Sequence, residues 1–357
     1  MVSPKKPRSG KKAAVPAPLV PVELWRRLYA LAARVQEMAP WDWMEEGETF
    51  GVRQPDSGQL DFASVMGMAG TYRAVAIYQG EKALVDFIQT QSHKFQDLDQ
   101  MERADALLSI PQIHLSFASL RELTKEDKAV LEALGISIPR GAEAPLFRCI
   151  HPGFHKWFLT PEEASALAVA LEQVLEIAPR QKLNHDLLCG QQRADEFLVR
   201  FQNQSGKWTE ELQRLPIPIR RLSLDLSDAI VRATAELPQR KMTLETAFFG
   251  TLSGISEHGE RPARPYLLLL VEPESGMVVG MDVMQVETSL DDLWATLPGR
   301  ILQGIQKAGC RPAALAVADP KLAALLEQPL ERLSIRLVER NALPALNEVR
   351  EHLLARA

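Results

Sequence analysis

Residues able to ligate a metal or act as nucleophiles are scattered along the chain, and two pairs have a suggestive spacing. His151 and His155 stand four apart, the spacing that sets two imidazoles on one helical face for zinc. Pro152-Gly153 lies between them and forbids a regular helix, so that spacing loses its geometric meaning. His185 and Cys189, in NHDLLCG, are also four apart, with no third or fourth ligand in sight. The three cysteines, Cys149, Cys189 and Cys310, offer neither a disulfide framework nor a zinc spacing, and no neighbour that would activate a thiol. GMAG at 67–70 lacks the Lys-Ser/Thr of a phosphate loop and the full glycine pattern of a dinucleotide fold. Trp41 and Trp43 have the chemistry to stack on a base or sugar, but their place behind Pro40 reads as core anchoring at a helix end. Phe147-Arg148 and the HPGFHKW loop read first as packing, with a groove as the alternative.

These residues sit in a chain of 357 residues, a length that suits two domains. A hydrophobic fraction of 46% and a charged fraction of 24% allow sizeable cores. A net charge of −5 argues against a general nucleic-acid coat. Cysteine usage points to a reducing cytosol, and no run approaches the roughly 18 apolar residues of a membrane span. Residues 1–21 carry five basic residues in the first twelve, then an Ala/Pro stretch, and read as a disordered, solubilising tail.

The elements that must position the chemistry follow from periodicity and punctuation. Residues 22–38 form an amphipathic helix stopped by Pro40. Strands are expected at 49–54, 60–66 and 72–78, then a helix at 81–89, a helix at 100–107 and a strand at 112–118. Thr124 caps a helix at 125–134 ended by Gly135. Residues 142–158 read as irregular and aromatic. Thr160-Pro161-Glu162-Glu163 opens a helix to about Ile177. Residues 196–218 are short and mixed, strand-like at 197–199, and 223–237 is helix-like up to Pro238. The division expected is an N-terminal α+β domain at 22–215, a connection at 216–240 and a C-terminal α/β domain at 241–357.

That last domain is organised around one hairpin. The unbroken apolar run 266–271 suits a strand buried on both faces. Pro273-Glu274-Ser275-Gly276 turns the chain, and 277–284 returns as a second strand. A strand at 241–249 precedes the hairpin, with Met242, Leu244 and Phe248 on one face and Glu245 on the other. A helix opened by Ser289, a strand at 313–318, a helix opened by Asp319-Pro320, a strand at 334–338 and a helix at 343–354 follow. The order is βββαβαβα, which implies a mixed five-stranded sheet with parallel pairing in its later strands.

This order, with LLLLVEPESGMVVG and RPAALAVADP, resembles the ribonuclease H-like core of integrases and transposases over roughly the last 115 residues. The resemblance implies two divalent metals, Mg²⁺ or Mn²⁺, held by three carboxylates that activate water against a phosphodiester. Carried over, these fall on Glu245, Asp319 and Glu348, with Glu351 as substitute for the third. The sequence departs from the pattern. Glu245 and Glu272 replace aspartates, Asp319 is followed by proline rather than Asn-Gly, and no Lys/Arg stripe tracks a nucleic acid. WRRLYALA, VMGMAGTYRAVAIYQG and FRCIHPGFHKWFLTPEEA, ahead of that core, resemble a bacterial two-domain family of unknown function. The reading is a cytosolic, non-catalytic protein, needing no cofactor, that binds a protein partner or small ligand. The alternative is a metal-dependent nuclease or strand-transfer relative acting on nucleic acid through Glu245, Asp319 and Glu348.

Overall fold

The structure, a computed structural model, describes residues 20–68, 70, 72–92, 100–189, 196–215, 222–251, 254 and 261–354. The basic tail lies outside the described residues, as does the side chain of Cys189 and with it the His185–Cys189 pair. The chain is a mixed α/β protein with a seven-stranded mixed sheet followed by a five-stranded one.

The first sheet is built on helix α1 (Val22–Met38), strands β1 (Phe50–Arg53), β2 (Leu60–Met66) and β3 (Ala74–Tyr78), and helices α2 (Gly80–Thr90) and α3 (Gln100–Leu108). Strand β4 (Gln112–Ser119), helix α4 (Lys125–Leu134), strand β5 (Glu143–Ile150), helices α5 (Pro161–Leu183) and α6 (Asp186–Cys189), and strands β6 (Glu196–Gln202) and β7 (Trp208–Arg214) complete it. The strand order is β5-β4-β3-β2-β1-β6-β7, antiparallel throughout except where β1 runs parallel to β6. One face packs on α1 and α5 through residues such as Leu28, Val35, Leu171 and Val174, and the other packs Phe62 and Tyr78 against Phe87 of α2. Trp41 is buried in the first of these cores, and the Trp43 indole donates to the Ala178 carbonyl, so both anchor helix ends.

Three expectations need correction. Residues 143–150 are not irregular: they form β5, with Pro145 in an edge strand, where a missing ladder donor is tolerated. Helix α5 does not stop at Ile177 but continues through Pro179 to Leu183, because Ala178 and Gln181 stay buried against the core. The mixed stretch after 196 is a regular hairpin, β6 against β7, whose apolar side is only partly covered.

The second sheet contains helix α7 (Asp228–Ala235), strands β8 (Gln239–Gly250), β9 (Tyr266–Glu272) and β10 (Met277–Met284), helix α8 (Leu290–Lys307), strand β11 (Arg311–Val317), helix α9 (Pro320–Glu331), strand β12 (Arg336–Glu339) and helix α10 (Pro344–Leu354). Its order is β10-β9-β8-β11-β12. The three strands β10, β9 and β8 are antiparallel, and β8, β11 and β12 are parallel. Only 228–235 of the helix-like stretch is helical; Leu222, Leu224 and Leu226 reach the same core from extended chain. The hairpin strand β9 is buried on both faces, as its uninterrupted apolar run requires. Leu268 and Leu270 join α8 and α9 on one side, while Leu269 and Val271 join Leu343 and Leu346 on the other. Glu272 caps the hairpin turn by accepting from the amides of Glu274 and Ser275. Among the described residues no helix is long and apolar enough to cross a membrane.

Candidate ligand-binding cleft

The carboxylates singled out by sequence lie on three different elements of the second half: a strand, a helix start and the last helix. Glu245 is in the middle of β8, paired in register with Ala316 of the adjacent β11. Its side chain is 1% exposed, and both oxygens are engaged. Oε2 accepts from the Leu346 amide at 3.0 Å, and Oε1 lies 3.4 Å from the Arg340 guanidinium. Leu346 is the third residue of α10, so its amide is among those a helix leaves without an internal partner. Glu245 thus serves as a cap supplied by a distant strand, and its negative charge meets the positive end of the α10 dipole.

Asp319 lies just past β11 and caps α9: Oδ1 accepts from the amides of Lys321 at 2.7 Å and Leu322 at 3.3 Å. Pro320 occupies the first helical position, where no amide is needed. Burial raises the Asp319 carboxyl above the usual aspartate value, against the pull of those two amides and Lys321; nearby Asp105 adds to the rise. Its second oxygen accepts no hydrogen bond among the described residues, and Asp319 lines a cavity. Glu348 and Glu351 are exposed on α10. Among the described residues, one group of three potential ligands has its atoms within 4.8 Å of one another, and it contains none of these acids.

That group is Cys149, His151 and Glu163. It fastens the two halves of the chain together. His151 Nε2 lies 2.5 Å from Glu163 Oε1, and Glu163 also completes the capping box of α5 by accepting from the Thr160 amide. Arg261, from the segment before β9, reaches in to lie 3.2 Å from Cys149 Sγ and 3.6 Å from Glu163 Oε1. A guanidinium already stands where a cation would bind. Burial pushes the Cys149 thiol up to about 12, and the Glu163 charge adds to that, so at neutral pH it is an unreactive thiol. The rejected His151–His155 pairing is consistent with this arrangement: His151 turns to Glu163, while the His155 amide donates to the Pro262 carbonyl.

The contact continues along the HPGFHKW loop. Phe154 and Ala263 form an antiparallel bridge, and the Arg264 amide donates to the Gly153 carbonyl. Arg264 is fully buried; its Nε donates to Thr251 O at 2.9 Å and its Nη1 lies 2.5 Å from Asp105 of α3. Gly250 and Gly153 make the approach possible. A Cβ on Gly250 would fall 2.4 Å from Arg264 Cζ, and one on Gly153, whose φ is +89°, would fall 2.3 Å from Val286.

Between the two halves this contact leaves a cavity of about 710 Å³. Its floor is the carboxyl end of β8 and β11, with Phe248, Trp294 and Asp319; Arg350 of α10 stands on one wall, and Lys82 and Asp105 line the side formed by α2 and α3. Lys82 crosses the opening to Asp291 at 2.5 Å, and Lys321 lies 4.1 Å over the Trp294 ring. The size is that of a small-molecule site, and crevices at the carboxyl ends of parallel strands are where open α/β sheets bind ligands. Sequence reasoning found Asp319 and the helix that bears Trp294 but not the cleft they line, and it missed Lys82 and Asp105, because no local pattern ties α2 and α3 to the second sheet.

Residues 25–200 match the model of a domain of unknown function (DUF7309), and residues 230–354 match that of a second domain of unknown function (DUF6930). No curated protein matches the chain.

Proposed function

We propose that the protein is a non-catalytic binding protein of two domains, divided near residues 216–240, which holds a small organic ligand in the cleft between them. The strand order β10-β9-β8-β11-β12 and the crossover helices support a ribonuclease H-like core for the second domain. The observation that carries a non-catalytic reading is Glu245. The carboxylate at the first metal position of that core is buried against the α10 amide and Arg340, with no oxygen left for an ion.

The chemistry of the cleft narrows the ligand. Helix N-termini favour anions, but those facing this region already carry acids of this chain: Asp291 and Asp292 in the first turn of α8, the cap Asp319 at α9 and Glu245 at α10. The ligand that fits is therefore neutral or cationic, with an aromatic or apolar body against Phe248 and Trp294. It presents a hydrogen-bond donor to the second oxygen of Asp319. A metal-dependent nuclease is the competing reading, favoured by the placement of Asp319 at the end of β11, the strand beside Glu245.

The test pairs two measurements. Equilibrium dialysis of the full chain against a small-molecule cell extract, read by mass spectrometry, should enrich a compound. Ala106→Trp, which fills the cleft from α3, should lose it. A Mn²⁺-dependent cleavage assay on single- and double-stranded DNA and RNA should show no activity. Cleavage by the wild type that disappears in Asp319→Asn would overturn the reading.

A further inference from the structure

The two halves of the chain meet on both sides of the cleft, and the two contacts differ in kind. On one side the HPGFHKW loop and the segment before β9 are joined through the backbone. The His155 amide donates to the Pro262 carbonyl at 3.0 Å and the Arg264 amide to the Gly153 carbonyl at 2.9 Å. The buried Arg264 side chain adds its contact with Asp105 of α3. Buried bonds of this kind are hardly screened by salt and are costly to leave unmade.

On the other side, at the mouth, Lys82 of α2 reaches Asp291 of α8 at 2.5 Å, with side chains 51% and 32% exposed. An ion pair so open to water gains little over its hydrated halves, and salt weakens it further. Breaking it strands neither partner. Lys82 is left in solvent, and the other oxygen of Asp291 stays 3.8 Å from Lys321 of its own half.

Both helices at the mouth are fixed to their own half. Leu84 and Phe87 hold α2 in a core of the first sheet, and Trp294, Leu297 and Ile301 hold α8 in the core of the second. Neither swings out alone, so parting Lys82 from Asp291 turns one half against the other. Such hinge motion about a modest contact is ordinary between domains of one chain. The cleft gives it a use. Its aromatic floor, Phe248 and Trp294, is 5% and 8% exposed, so the closed form offers a bulky molecule little of the surface it would bind.

We propose that the cleft is gated: the Lys82–Asp291 pair latches its mouth, the contact of 151–155 with 261–264 is the pivot, and the halves part at the latch to admit a molecule. The charge at residue 82 then sets how often the cleft opens, and ionic strength tunes it.

Access is read chemically, with no ligand present. Ser109→Cys places a thiol in the cleft wall, in a chain whose Cys189 is replaced by serine; Cys149 and Cys310 are buried. Neutral N-ethylmaleimide is added at low and at high salt. Modification of residue 109 is followed by peptide mass spectrometry and divided by the rate for free cysteine in the same buffer. The thiol should react far more slowly than free cysteine at low salt, and faster as salt rises. Lys82→Gln, at an exposed site, should react up to about fivefold faster, the factor that an exposed pair is worth, and lose most of the salt dependence. Lys82→Glu sets like charges across the mouth, so it should be faster still, and salt should now slow it. A rate equal to that of free cysteine with Lys82 in place, a rate indifferent to both variants, or a salt response of unchanged sign in Lys82→Glu overturns the proposal. Should Ser109→Cys fail to fold, Ala106→Cys, also in the wall, carries the same comparison. A failed latch leaves the binding reading to its own test, because no ligand enters this one.

Discussion

Replacing Glu245 separates a structural carboxylate from a catalytic one, because the two predict opposite changes in stability. In Glu245→Ala the Leu346 amide loses a buried, charge-assisted bond, worth about 1.5–3 kcal/mol. The loss of negative charge at the start of α10 adds about 0.3–1 kcal/mol, partly within the same figure. The Arg340 contact is 3.4 Å long and 42% exposed on the arginine side, so it adds no more than about 1 kcal/mol. Together these give about 3 kcal/mol of destabilisation. Glu245→Gln keeps an acceptor oxygen and should cost about half as much. The assay is urea unfolding, with hydrogen exchange by mass spectrometry to localise the effect. Peptides covering α10 should lose protection first, and Mg²⁺ or Mn²⁺ should leave the wild-type midpoint unchanged. Crowded metal-site carboxylates behave in the reverse way, since removing one relieves repulsion and commonly stabilises the fold. A stabilised Glu245→Gln variant, or a wild-type midpoint raised by metal in a Glu245-dependent way, would refute the reasoning.

Burial, with the nearby Lys156 charge, drives the His114 imidazole down to about 3, so the folded chain keeps it neutral while the unfolded chain protonates it near 6.5. Its contribution is fully present above 6.5 and falls by about 1.4 kcal/mol per pH unit below that; His114→Gln should flatten the loss of stability between pH 6 and 4 in urea titrations. Hydrogen bonds from Arg180, and then from Arg200, hold the Glu210 carboxyl down at about 2, which bridges α5, β6 and β7. The stability gap between wild type and Glu210→Gln should be complete above about pH 4.5 and close as pH falls toward about 2, and a gap that persists in acid contradicts the ion pairing. Gly153→Ala combines a left-handed backbone with a 2.3 Å clash against Val286, so it should separate the thermal unfolding of the two halves into two calorimetric transitions; a single unshifted transition would contradict the docking.

The second sheet was legible because its signals are local. The run 266–271 can only be a strand covered on both faces, and Asp319-Pro320 and Ser289 mark helix starts by their own capping chemistry. Strand β5 was illegible for the converse reason. Pro145 and Arg148 break the pattern a strand should show, and the edge position that tolerates the proline, like the Asp127 partner that neutralises Arg148, exists only in the folded chain. Helix α5 outran Pro179 because burial of Ala178 and Gln181 outweighs one missing hydrogen bond, and no local rule weighs that. Asp319 could be found from spacing. The cleft it faces could not, since Lys82 and Asp105 lie more than 200 residues away in the chain.

Glu245 and the cleft are nevertheless one arrangement. The amide that Glu245 holds belongs to the first turn of α10, and the next turns of that helix carry Asn347 and Arg350 into the cleft wall. A strand residue therefore sets the height and rotation of a helix that shapes a binding surface it does not itself line. An aspartate at this position would fall one methylene short of the Leu346 amide. The extra methylene of the glutamate is what lets β8 reach α10. The buried acid of β8 and the ligand cleft have a common physical origin: Glu245 fixes the start of the helix whose later turns line the cleft.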